Sequence, residues 1–165
     1  MTIRRILPLA ALVLPAAAIV SGSPAWAQYG EIVRNDPAQC RAGTGPAVRL
    51  TVSGIKASSG EIRVQLYRGV KEDWLVHGRW LTRMDVPARA GEMTFCVPAP
   101  KAGTYAIAVR HDVNGNDKTD ITQDGGAMSN NPSINIFNLG KPSVAKTAFP
   151  LGDEVKQMAV RMRYL

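Results

Sequence analysis

The sequence predicts an all-β protein: a single antiparallel β-sandwich of about seven strands, immunoglobulin-like or transthyretin-like, with one long irregular loop. Three observations carry this. Apolar and polar residues alternate with period two in short runs, turn-forming residues separate the runs, and almost no stretch keeps the 3.6-residue period of a helix. Strands of period two bury one face and need a second sheet to cover it.

Residues 28–46 are polar and punctuated by Gly and Pro, which reads as an extended lead-in to a domain over 47–165. Val48, Leu50 and Val52 alternate with Arg49 and Thr51; after Gly54 and the Ser58-Ser-Gly60 turn, Ile62, Val64 and Leu66 alternate with Arg63, Gln65 and Tyr67. That pair reads as a β-hairpin. Residues 70–79 suit a short helix or a loop, and Trp80 to Val86 a further strand. Ala90-Gly91 marks a turn before Met93, Phe95 and Val97. The Pro98-to-Gly103 connection leads into Tyr105, Ile107 and Val109, which alternate with small Ala106 and Ala108. The stretch 121–147 is too long for an ordinary connection, and such stretches are functional or disordered. Val155 to Tyr164 closes the chain as one more alternating run.

The first 27 residues read as an export signal: Arg4 and Arg5, an apolar run from Leu7 to Val20, then Ala25-Trp-Ala27 as a small-x-small cleavage site. The apolar run is 14 residues, short of the roughly 18 to 20 that span a bilayer, and no later segment is long and apolar enough to cross one. Cleavage would leave 165 − 27 = 138 residues, one domain by size. Lys+Arg would then number 20 − 2 = 18 against 13 Asp+Glu, a net +5. These cations are scattered, whereas nucleic-acid readers gather them on one face; nucleic acid is therefore excluded as a partner, and anionic cell-envelope components stay open. The expected location is periplasmic or secreted. Cys40 and Cys96 are then read as a disulfide, because an even count in an oxidising compartment pairs first. Zinc would need more soft ligands than two Cys and the distant His77 and His111 provide.

One cluster carries site chemistry. A strand running to Val109 leads into Asp112, Asn114, Asn116 and Asp120, oxygen donors at the spacing with which a tight loop wraps calcium. With the Lys118 carbonyl they form a candidate metal set. It departs from an EF-hand: Asp117 stands where Gly makes the sharp turn, and Gln123 where a bidentate Glu closes the site. Any affinity then falls with extracellular modules, about 10⁻⁴ to 10⁻³ M. The other reading is an Asx-rich turn whose side chains bond their own backbone. His111 and the Ser129-Asn130-Asn131 run, preceded by an Asp124-Gly-Gly126 turn that supplies flexibility, are candidate ligand-loop residues, with a plain turn as the alternative. Trp74 and Trp80 form either core or an exposed platform.

Enzyme signatures are sparse. No Gly-x-Ser-x-Gly elbow, His-Glu-x-x-His, phosphate loop or dinucleotide fingerprint occurs. His111 adjoins Asp112, but strand neighbours point to opposite faces. The sequence favours a non-catalytic binding or structural module; the alternative is a secreted hydrolase of carbohydrate or ester substrates using Asp112 or Asp120 with His111.

Gly103-Thr-Tyr-Ala-Ile-Ala, His111-Asp-x-Asn-x-Asn with Asp120, Ser129-Asn-Asn131, Lys141-Pro-Ser-Val-Ala145 and a last strand ending in Tyr164 resemble the bacterial domain-of-unknown-function family numbered 2141, over about residues 48–165. The resemblance implies a small exported protein without an established activity. The chain departs from the family pattern at Asp117, at Thr119-Asp120 and over Gly125–Met128, where a Pro-Glu and aromatic residues usually stand. The Pro100-to-Tyr105 stretch is loosely similar to transthyretin-like and carboxypeptidase regulatory sandwiches, an analogy of fold alone.

Overall fold

A computed structural model describes residues 30–165; the expected export signal lies outside them. The strands are β1 (Glu31–Ile32), β2 (Ala47–Ile55), β3 (Glu61–Arg68), β4 (Thr82–Pro87), β5 (Gly91–Pro98), β6 (Gly103–Asp112), β7 (Gly125–Met128), β8 (Phe149–Leu151), β9 (Val155–Arg161) and β10 (Arg163–Tyr164). One four-residue helix, α1 (Val144–Thr147), and two 3₁₀ turns complete the described residues. The larger sheet runs β1-β4-β3-β6-β7-β10, with β8 also on β6; the smaller runs β5-β2-β9.

Alternation dictates which faces meet. Val48, Leu50 and Val52 of β2, Ile62, Val64 and Leu66 of β3, and Ile107 and Val109 of β6 are all buried in one core fed by both sheets. Two earlier expectations give way here. The sheets are mixed, not antiparallel, because β9 pairs parallel with β2 and β1 parallel with β4. Strands β2 and β3 do not form a hairpin: β2 pairs with β5 and β9, β3 with β4 and β6. The two strands instead face each other across the shared core, one from each sheet. Gly60 permits the crossing, since at φ +71° a Cβ there would stand 1.8 Å from the Asp112 carbonyl oxygen.

The closing run is also split. β9 belongs to the smaller sheet; the chain passes through buried Met162 and enters the larger sheet as β10. Residues 70–79 form hydrogen-bonded turns rather than a helix, with Trp74 N–H donating to the Val70 carbonyl. The stretch expected to be irregular contains β7 and α1, and Gly125 and Gly126 are strand residues, not a flexible turn. Their smallness has a packing reason: a Cβ on Gly125 would stand 2.5 Å from the Tyr164 ring.

The lead-in is anchored. β1 pairs with β4, a 3₁₀ turn spans Pro37–Cys40 with Asp36 capping Ala38 N–H at 2.9 Å, and Cys40 bonds Cys96. The bridge closes a separation of 56 residues, which on a chain-entropy argument stabilises by about 4 kcal/mol.

The larger sheet has a second packed face. Tyr67, Ala106, Ala108 and Met128 point away from the main core and are covered by Trp74 and Trp80, with Leu75, Ile134 and Val144 against them. The small alanines leave room for this cover. Both tryptophans are buried, Trp74 donating its Nε1–H to the Pro142 carbonyl at 2.8 Å, so they form no exposed platform.

Candidate functional site

The polar loop follows directly from β6. Asp112 ends the strand and is only 4% exposed. Its Oδ1 accepts from the N–H groups of Gly115 (2.8 Å) and Asn116 (3.2 Å), and its Oδ2 from Asp117 N–H (2.8 Å) and Arg110 (3.3 Å). Asp124, also buried, fastens the other side, accepting from Val113 N–H at 3.1 Å and Asp120 N–H at 2.9 Å. Asn114 Oδ1 accepts from Asn116 N–H and Asn116 Oδ1 from Lys118 N–H. The amide groups of both asparagines donate to Asp120 Oδ2 at 2.8 Å. These bonds hold the Asp120 carboxyl below its ordinary pKa, Asn114 contributing most. The loop is thus an Asx-rich turn system: the side-chain oxygens that would face a cation accept from donors of the loop itself. Among the described residues no cluster of three or more His, Cys, Asp and Glu side chains is arranged to hold a metal.

The remaining predicted residues are separated. His111 is fully buried, with Nδ1 2.7 Å from the Tyr164 hydroxyl and Nε2 2.9 Å from the Ser59 carbonyl. A carbonyl only accepts, so Nε2 carries a proton, and in the neutral ring Nδ1 accepts from Tyr164. His111 pairs with Gly125 at the start of β7, whereas Ser129 follows the far end of that strand, so the fold does not bring them together. Ser129 Oγ accepts from Ile107 N–H at 3.0 Å and donates to the Thr147 carbonyl at 2.6 Å. Asn130 donates to the Ala148 carbonyl; Asn131 clasps β9 through the Ala159 carbonyl and Arg161 N–H.

Sequence reasoning missed a groove on the outer face of the larger sheet. Cross-strand register sets one row of side chains across it: Asp85, Arg63, Arg110, Gly126 and Arg163 are successive partners on β4, β3, β6, β7 and β10. Directly opposed partners share a face. Three like charges in a row repel, and carboxylates offset two of them. Arg63 binds Asp85 and Asp117, each at 2.5 Å, and Arg110 binds Asp112 and Asp117. Desolvation pulls the Arg63 guanidinium down, but these carboxylates outweigh it and leave its pKa raised. Asp117 is correspondingly lowered, Arg63 being the main cause. Gly126 leaves a gap in the row, and there a groove of about 280 Å³ opens between the sheet and the cover segment.

The family model described as uncharacterized protein conserved in bacteria, domain of unknown function 2141, matches residues 50–159. The chain belongs to this family. Neither a curated protein nor a solved structure matches it. The matched span runs from β2 into β9, so it takes in the Asp112 loop and most of the groove of this family-2141 domain, while Arg163 and Leu165 lie beyond it.

Proposed function

We propose that this protein is an exported, non-catalytic module of the cell envelope, built on a β-sandwich of immunoglobulin-like or transthyretin-like type, which binds an envelope component. The observation that carries this reading is the enclosure of His111. With no solvent exposure and both ring nitrogens engaged by Tyr164 and Ser59, it is poorly placed to move a proton to or from a substrate. Asp112 is similarly committed to four donors, which argues against the hydrolase alternative. The Cys40–Cys96 bridge supports export, since disulfides persist in oxidising compartments.

Calcium at the Asp112–Asp120 loop is part of the proposal. Turning the Asn114 and Asn116 amides about would aim two oxygens at the space beside Asp120, but would break their bonds to Asn116 and Lys118 N–H. That competition predicts weak binding. The test of the whole reading is native protein isolated from its cell: an N-terminus near Gln28, no free thiol, and no turnover of carbohydrate or ester panels. A chain held in membranes with Met1 retained, or ester turnover lost on Asp112→Asn, would overturn it.

A further inference from the structure

The groove beside Gly126 has a chemistry of its own. Tyr67, Ala108, Met128 and Ile134 give it an apolar lining. Three more lining side chains, Ile121, Leu139 and Leu165, stand 45%, 65% and 42% exposed. Apolar surface left in water at the mouth of a groove gains free energy when something covers it. Leu139 is held at φ +48°, a backbone conformation uncommon for a bulky residue.

Arg63 and Arg110 are offset by Asp85, Asp112 and Asp117. Asp124, an acidic side chain of the lining, turns both oxygens to the Val113 and Asp120 N–H groups. Arg163 and Lys141 are exposed and carry no ion pair among the described residues, so they are the two cations of the lining left free to meet an anionic group. Tyr67 adds a neutral hydroxyl: burial pushes its pKa up to about 12, against the pull of Arg63 and Arg83, so it stays a proton donor near neutral pH.

We propose that this groove binds a small amphipathic carboxylate, its apolar tail laid over Ala108 and Met128 under the Leu139 lip and its head group held by Arg163 and Lys141. The volume, at the lower end of ligand pockets (about 300 Å³ and up), sets the size. The planar fork of Arg163 suits a carboxylate's two oxygens. The proposal deepens the non-catalytic binding role and rests on it.

Decanoate is the probe, titrated calorimetrically below its micelle concentration into the purified disulfide-bonded chain. 1-Decanol and acetate serve as half-ligands, and phosphatidylglycerol vesicles as a membrane control. Decanoate should bind one to one and more tightly than either half-ligand. Gly126→Leu should abolish binding by filling the gap, since a Cβ there meets nothing closer than Ile134 at 3.7 Å. Should that variant not fold, Lys141→Glu with Arg163→Glu changes exposed residues only; it should weaken decanoate at least about tenfold and leave decanol unchanged. No decanoate binding, equal binding by the charge-reversed protein, or binding to vesicles alone would overturn the inference. An exported, hydrolytically inert protein that ignores decanoate would sink this ligand class and leave the proposed function standing.

Discussion

The Asp112 loop and the Gly126 groove lie at neighbouring ends of the same strands and dispose of their polar groups in opposite ways. In the loop, Asp112, Asp124, Asn114 and Asn116 turn their oxygens to N–H groups of the loop itself. In the groove, Arg163 and Lys141 face solvent beside apolar side chains that are themselves left uncovered. A polar cluster that satisfies itself is structure, whereas groups left without a partner are available to a ligand.

The contrast breaks first at Asp112. Asp112→Ala leaves three loop N–H groups and Arg110 without their shared acceptor, and should cost about 3 kcal/mol or more in denaturant unfolding. Asp124→Ala removes two such acceptances and should cost about 2 kcal/mol. If either variant unfolds like the parent protein, the loop is not the strut described here.

The loop also answers whether cation and turn compete. If calcium binds, a concentration ten times its dissociation constant stabilises by about 1.4 kcal/mol, a rise of a few degrees in melting midpoint against chelator. An unchanged midpoint at about 10 mM calcium leaves the turn as the full account.

A smaller effect is expected from acid. Asp117 and Asp120 have lowered pKa values in the fold, so their contribution is present above the unfolded value of about 3.9 and is lost as pH falls through the still lower folded values. Asp117→Asn should flatten the stability profile below about pH 4 by lowering the neutral-pH plateau toward an unchanged acid limit, and by little, because the side chain is 71% exposed and its pairs are screened. A profile steepened by the substitution would contradict the assignment. The smallest effects belong to the groove rim: Lys141→Ala and Arg163→Ala should shift stability by no more than about 0.5 kcal/mol.

How much of this was legible follows from range. Alternation identified Val48 to Val52, Ile62 to Leu66 and Tyr105 to Val109 as strands with the correct faces inward, because period two is local. Pairing is not local. Nothing near Val52 says that its neighbours are Met93 and Val160 rather than the strand that follows, and only closure of the smaller sheet decides that β9 runs parallel to β2. The disulfide was legible because an even cysteine count, read with the expected export, suffices. The Asp112 loop stood out because its polar residues are contiguous, but its most useful partner, Asp124, reads as part of a glycine turn. The groove was invisible: Tyr67, Ala108, Gly126, Lys141 and Arg163 look unremarkable along the chain until register sets them side by side.

The most direct test of the contrast is a two-dimensional amide spectrum of ¹⁵N-labelled protein titrated with decanoate. Progressive shifts at Ala108, Gly126 and Met128, with Asn114, Asn116 and Asp120 unmoved, are the predicted result. Shifts concentrated in the Asp112–Asp120 loop, or none anywhere, would contradict it.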